Sequence, residues 1–108
     1  MNKVKNNDQV IEVIKRTAHD FLPDAEVFLF GSRARNEDLP DSDYDILLIT
    51  NKNLLPKEKL PIRTEIRKSL LLIGIRSDIL IQSKLEVDKK KNLPGHIVRK
   101  ILREAILL

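Results

Sequence analysis

The residues best suited to chemistry lie in one segment, FGSRARNEDLPDSDYDILLI, residues 30 to 49. Gly31 and Ser32 come first. Ten residues later, Asp43 and Asp45 lead directly into the apolar run ILLI. Carboxylates repel one another and resist burial, so their place beside a buried strand needs an explanation. Either they have a loop and capping role at the strand entrance, or they are held at a strand edge to bind a cation.

A third carboxylate favours the cation. Asp43 and Asp45 are two residues apart on a predicted strand, so both side chains leave the same face. Asp78 lies early in a later predicted strand, RSDILI, and can reach the same edge from a neighbouring position. Three convergent carboxylates suit a hard cation such as Mg²⁺. Two such ions about 3.5–4 Å apart can clamp the attacking and leaving oxygens of an in-line displacement at phosphorus.

The preceding turn is typical of a phosphate site. Gly31 lets a ligand approach the backbone closely, and the amides after it open a helical turn whose N-terminus favours an anion. Ser32 adds a hydroxyl donor. Arg33 and Arg35 can neutralise phosphate charge.

Hydrophobic periodicity and the positions of proline and glycine predict three helices and three strands. In chain order they are a helix over 8–22, a strand over 25–30, one helical turn and a loop over 33–41 containing Pro40, a strand over 44–50, a helix from Pro56 and Pro61 to residue 73, a strand over 75–82, a polar lysine-rich link, and a helix opened by Pro94. The inward side chains are Ile62, Ile66, Leu70 and Ile73 on the second helix and Ile97, Val98, Ile101, Leu102, Ala105 and Ile106 on the third.

These elements predict an α/β fold with a small mixed β-sheet flanked by helices. The short connection between the first two strands favours an antiparallel pair, whereas the helical connection to the third favours a parallel pair. The end of the first strand and the starts of the other two then share one edge, where Asp43, Asp45 and Asp78 converge. The helices lie over one face of the sheet or are divided between both.

Composition limits the class of protein. A chain of 108 residues, 42% hydrophobic and 33% charged, suits one globular domain over 1–108. The absence of cysteine excludes a disulfide scaffold and a zinc–thiolate site, and is compatible with the cytoplasm. No apolar run approaches the ~20 residues needed to span a bilayer. The net charge of +4 with 4% aromatic residues argues against nucleic acid as the primary partner.

The segment GSRARNEDLPDSDYD resembles the signature of the minimal nucleotidyltransferases in the polymerase β-like superfamily. Gly31, Ser32, Asp43 and Asp45 match the motif, and Asp78 matches its third acidic position. Ala34 and Arg35, which commonly follow Gly-Ser, are also present, whereas Asn36 stands where relatives often have glycine. The resemblance covers roughly residues 8 to 82 and implies the polymerase β-like nucleotidyltransferase fold.

The resemblance also implies an activity and a partner. Such enzymes hold the nucleotide's phosphates on the Gly-Ser turn, bind metal through the first two aspartates, and use the third to orient the metal and activate the attacking hydroxyl. They transfer a nucleoside monophosphate, usually AMP from ATP. Many short members are antitoxins of small helical HEPN-type toxins, some attaching AMP to a toxin tyrosine.

Two functions therefore remain open. The first is a Mg²⁺-dependent enzyme that transfers AMP from ATP to a protein acceptor. The second is an antitoxin that neutralises its toxin by contact alone, since the chain is short for a substrate domain and its apolar ending AILL exceeds what a small core can cover. A homo- or hetero-oligomer is compatible with either function. For single residues, Asp78 could instead be an exposed strand residue or pair with Arg76, and Arg33 could be a surface arginine.

Overall fold

The computed structural model of the protein describes residues 3–37, 39 and 42–108. This part of the chain forms, in order, α1 (Lys3–Phe21), β1 (Glu26–Phe30), β2 (Tyr44–Thr50), α2 (Pro56–Leu71), β3 (Ser77–Ser83), α3 (Lys84–Lys90), α4 (Ile97–Glu104) and β4 (Ile106–Leu107). None of the described helices is long and apolar enough to cross a membrane. The three predicted strands are confirmed within about two residues, and the first helix begins earlier than predicted, at Lys3.

The described strands form one mixed sheet in the order β3-β2-β1-β4. As predicted, β1 pairs with β2 antiparallel and β2 pairs with β3 parallel. The C-terminal end of β1 therefore lies at the same edge as the first residues of β2 and β3. This edge positions the site described below.

The helices divide between the two faces of the sheet, which settles the alternative that periodicity left open. Ile14 of α1 and Ile66 of α2 pack with one set of strand side chains, including Ile46. Val87 of α3 and Ile101 of α4 pack against the opposite face. Because side chains alternate along a strand, β2 supplies hydrophobic residues to both cores.

The predicted polar link between β3 and the last helix is wrong in part, because residues 84 to 90 form α3. The Ser83 hydroxyl accepts a hydrogen bond from the Glu86 amide at 3.0 Å, and the Glu86 carboxylate accepts one from the Ser83 amide at 2.8 Å. Lys59 of α2 donates to the same carboxylate at 2.8 Å. This reciprocal cap starts a helix whose only buried side chain among the described residues is Val87.

The predicted last helix also ends sooner than expected. Ala105 has extended backbone angles, and the two residues after it pair with β1 as β4. Ile106 and Leu107 are 48% and 58% exposed, so Ile106 does not point into the core as predicted. Ile73 and Ile97 are likewise exposed, since the first lies beyond the end of α2 and the second on the outer side of α4.

Candidate active site

Two aspartates stand side by side where the predicted cation site should lie. Asp45 of β2 is the direct neighbour of Asp78 on the parallel strand β3, and it faces Phe30, the last residue of β1, across the antiparallel pair. Gly31 follows Phe30 and begins the turn that the sequence predicts to bind phosphate. The edge predicted from the sequence thus brings the acidic residues and the glycine turn together.

The Asp45 side chain lies directly over the backbone of Gly31. Gly31 has a φ of +75°, and a Cβ placed on it would overlap Asp45 Oδ2 and lie 3.0 Å from Asp45 Cγ. A larger residue would therefore be strained in its backbone and would also displace the carboxylate. Glycine is required here for both reasons.

Residues 31 to 36 form the single helical turn predicted from the sequence. The Ala34 and Arg35 amides donate to the Gly31 carbonyl at 3.1 and 3.2 Å. Asn36 ends the turn with a φ of +58°, in the left-handed region that asparagine tolerates better than most residues. A glycine at this position would adopt the same conformation without strain. Part of the predicted loop, including Pro40, lies outside the described residues.

Asp45 is held in a setting that disfavours its charge. Burial raises the pKa of its carboxyl, and the negative charges of Asp78 and Asp43 raise the pKa further, against an opposing effect of Arg35. The charged form of a carboxyl group whose pKa is raised in this way is stabilised by a nearby cation. A hard cation with oxygen ligands would offset the charge that this edge concentrates on Asp45.

Asp43, the third predicted ligand, has a different contact. Its Oδ1 lies 3.4 Å from Nε of Arg76, and the two side chains are 54% and 58% exposed. Within the residues that the structure describes, no three His, Cys, Asp or Glu side chains are grouped so that they could hold a metal ion as they stand. The donors have the right chemistry and share one edge, but Asp43 is turned towards an arginine.

The two arginines of the turn lie on different sides of it. Arg33 stacks over the Tyr44 ring at 4.0 Å and donates to the Ser42 carbonyl at 2.7 and 2.9 Å. These contacts shape the loop between β1 and β2, so a contact of Arg33 with phosphate stays a prediction. Arg35 donates instead to carboxylates, those of Glu37 at 2.8 Å and Glu104 at 2.9 Å.

Glu104 is a residue of this edge that the sequence did not indicate. It ends α4, far along the chain from the glycine turn, and its Oε1 accepts a hydrogen bond from the Gly31 amide at 3.3 Å. The hydrogen bond from Arg35 lowers the pKa of the Glu104 carboxyl, so this carboxylate remains ionised at neutral pH. No motif or spacing connects it to residue 31, and only the packing of α4 against the sheet brings it there.

The raised pKa of Asp45 gives a prediction about stability. We expect Asp45→Asn to raise the melting temperature at neutral pH in a metal chelator, because the substitution removes a charge that the folded state disfavours. The folded protein binds the Asp45 proton more tightly than the unfolded chain, whose carboxyl has the ordinary pKa of 3.8. The gain in melting temperature should therefore be largest at pH values well above the folded-state pKa of Asp45. It should disappear as the pH falls through 3.8.

The measurement is thermal unfolding of both proteins across this pH range. Asp88→Asn makes the same chemical change at an exposed ion pair with Lys91 and serves as the control. If Asp45→Asn melts well below the parent at neutral pH, Asp45 is a structural cap of the strand, and the cation site is the wrong interpretation.

Comparisons with known proteins show the family to which the chain belongs. Residues 10–108 match the sequence profile of the nucleotidyltransferase domain family. The match covers most of the chain, so the protein belongs to this family. Among curated proteins, none reaches a significant sequence match.

Superposition on solved structures identifies the fold. A Sulfolobus solfataricus protein provisionally described as a nucleotidyltransferase superposes with a TM-score of 0.62 at 22% identity, over 92% of this chain and 76% of its own. A protein provisionally described as a minimal nucleotidyltransferase gives a TM-score of 0.60 at 25% identity, over 100% and 97%. A chain from the complex of tri-AMPylated Shewanella oneidensis HEPN toxin with MNT antitoxin gives a TM-score of 0.55 at 14% identity, over 93% of this chain and 69% of its own. The fold is therefore the minimal nucleotidyltransferase fold.

Proposed function

We propose that the protein catalyses Mg²⁺-dependent transfer of AMP from ATP to a hydroxyl group of a partner protein. The observation that carries the proposal is the position of Asp45. It lies over the Gly31 backbone, next to Asp78 in register, with a raised carboxyl pKa. This position supports the proposal, because a cation bound by Asp45 would be within reach of a phosphate at the glycine turn.

The turn and the aspartates have separate roles in this reaction. The Gly31 amide, the Ser32 hydroxyl and the guanidinium groups of Arg33 and Arg35 would bind the triphosphate, since each is a donor to anionic oxygen. Asp43, Asp45 and Asp78 would hold one or two Mg²⁺ ions. For Asp43, binding the cation means exchanging its contact with Arg76. When bound, Mg²⁺ would offset charge on the phosphate oxygens during displacement.

The transfer itself balances without a further reactant. The acceptor hydroxyl oxygen forms a bond to the α-phosphorus, and the bond from that phosphorus to the bridging oxygen breaks. Pyrophosphate leaves, and the hydroxyl proton passes to a carboxylate oxygen, for which Asp78 is the candidate. Asp78 suits this role because it is exposed at the start of β3, where an acceptor hydroxyl could reach it.

We infer that the acceptor is a small helical toxin of the HEPN type. The support is the similarity in fold to a chain from the complex of AMPylated HEPN toxin and MNT antitoxin. The surface also offers apolar residues for a partner. Leu71, Leu72 and Ile73, at the end of α2, are 59%, 87% and 58% exposed.

The same apolar residues favour the second candidate, neutralisation of a toxin by contact alone. The paired state of Asp43 with Arg76 is compatible with it, because a binding module does not need a ready cation site. The discriminating variant carries both Asp43→Asn and Asp45→Asn. Full rescue of cells that express the toxin by this double variant would exclude transfer as the means of neutralisation.

The direct test of the proposed activity is transfer of label. We expect the protein, Mg²⁺ and ATP labelled on the α-phosphate to label the helical product of a neighbouring gene, because the α-phosphoryl group is the one transferred. ATP labelled on the γ-phosphate should label nothing, and a chelator should stop the reaction. Label that arrives from the γ-position would identify a kinase instead, and no transfer from either position would contradict the proposal.

A further inference from the structure

The Glu104 carboxylate occupies the donors that the proposed function assigns to phosphate. Its Oε1 accepts from the Gly31 amide at 3.3 Å, while Nη1 of Arg35 donates to Oε1 and Oε2 at 3.1 and 2.9 Å. The side chain is 24% exposed, so the contact is partly shielded from water. One anion thus accepts both from a backbone amide of the glycine turn and from Nη1 of Arg35.

This arrangement is the one by which proteins bind phosphate oxygens. Backbone amides at the start of a helical turn and guanidinium N–H groups both donate to the anionic oxygens of carboxylate and of phosphate. A nucleotide oxygen that binds these same donors must replace the carboxylate, because the Gly31 amide and Nη1 of Arg35 already donate to Glu104.

We propose that Glu104 is a positioning residue that takes the place of a nucleotide phosphate at the glycine turn and must be displaced when the triphosphate binds. This inference rests on the proposed function, since it takes the turn to be a phosphate site. While the carboxylate is in place, it holds Arg35 beside the turn. Once a phosphate binds, Arg35 and the Gly31 amide exchange one anion for another, and Glu104 leaves to the solvent-exposed side of α4.

Charge adds to this competition. Glu104 is one of the negative charges that raise the pKa of the Asp45 carboxyl, so it acts on the same space as the aspartates. A triphosphate entering that space meets repulsion from Glu104 as well as competition for its donors. Both effects weaken binding of the phosphates and leave the affinity for an uncharged nucleoside unaffected.

The test uses Glu104→Gln, which keeps the size of the side chain and an oxygen acceptor for the Gly31 amide but removes the charge. Inorganic tripolyphosphate, ATP with Mg²⁺, and adenosine are titrated by calorimetry into the full chain. We expect the variant to bind tripolyphosphate and ATP about three- to tenfold more tightly, the scale of a partly exposed ion pair to arginine, with adenosine unchanged. A merely structural role for Glu104 would not separate phosphate-bearing ligands from adenosine.

The matched control is Glu37→Gln. Glu37 also pairs with Arg35, through Nε at 2.8 Å, but it is 65% exposed, and Gly31 donates to Glu104 instead. The substitution makes the same change of charge beside the same arginine. Because Glu37 does not occupy the Gly31 amide, we expect a smaller gain in affinity for tripolyphosphate and ATP. An equal gain from both substitutions would mean that general repulsion governs binding, and it would overturn the displacement.

Two further outcomes separate this inference from the proposed function. If the parent binds tripolyphosphate and Glu104→Gln binds it no more tightly, the role of Glu104 is wrong and the proposed function stands. If the parent and both variants bind neither tripolyphosphate nor ATP, both are wrong.

A measurement on the parent protein does not depend on the folding of any variant. The ¹³C resonance of the Glu104 side-chain carboxyl reports the loss of its ion pair with Arg35. This resonance should move when tripolyphosphate is added and stay in place with adenosine. A resonance that stays in place while tripolyphosphate binds would overturn the displacement.

Discussion

Asp45→Asn is expected to abolish transfer of AMP, lowering the rate by roughly 10²-fold or more, the scale on which loss of one charge-stabilising group reduces kcat. The physical reason is the place of this carboxylate. It stands between Asp78 and the glycine turn, where its charge is disfavoured until a cation arrives. Asparagine has the same size and fits over Gly31, but it lacks the charge that would hold Mg²⁺.

The measurement is the initial rate of label transfer from ATP labelled on the α-phosphate, with the melting temperature recorded for each protein. Asp88→Asn is the matched control, because it removes one carboxylate from an exposed position on α3 and should leave the rate unchanged. An active Asp45→Asn protein would remove Asp45 from the site. A loss of activity shared equally by both variants would point to net charge as the cause.

Gly31→Ala is expected to cause the second large loss. The added Cβ would overlap the Asp45 carboxylate, and the φ of +75° would be strained for alanine. The side chain of Asp45 must then move, and a displacement of about 1 Å can cost about 10²-fold in rate. The backbone strain should also lower the free energy of unfolding by about 1–2 kcal/mol.

Gly95→Ala separates the two causes. Gly95 has nearly the same backbone angle, a φ of +76°, but a Cβ there would have no neighbour within 4 Å. The substitution should lower the free energy of unfolding by a similar amount, about 1–2 kcal/mol, and leave transfer intact. Denaturant unfolding and the transfer assay together decide the matter. If both variants lose activity alike, backbone strain alone accounts for the loss, and the close approach of Asp45 to Gly31 is unimportant.

Some features of the structure could have been predicted and were not. Ser83 and Glu86 stand at the spacing of a capping box, a local signal that predicts the start of α3 within the lysine-rich stretch. The end of α4 has no comparable signal. Hydrophobic residues continue past Glu104, and helical periodicity alone extends the helix to the C-terminus. Pairing of Ile106 and Leu107 with β1 ends it, and that partner lies far away in the sequence.

The sequence by itself determined the sheet edge and its acidic residues. Period-two alternation predicts Asp43, just before β2, and Asp45, within it, on one face, and the lengths of the connections predict an antiparallel and a parallel neighbour. These are local properties of the chain, and they predict that Asp45 and Asp78 lie beside each other next to Gly31.

Tertiary structure decided which charges meet across that edge. Arg33 lies over Tyr44, Asp43 faces Arg76, and Glu104 reaches the Gly31 amide, although no spacing in the sequence relates these partners. The direction of a long side chain depends on what packs around it, and the position of α4 depends on the core that it shares with β2. The sequence therefore determined where the carboxylates of the motif lie. Packing determined that Asp43 contacts an arginine and that Glu104, outside the motif, contacts the Gly31 amide.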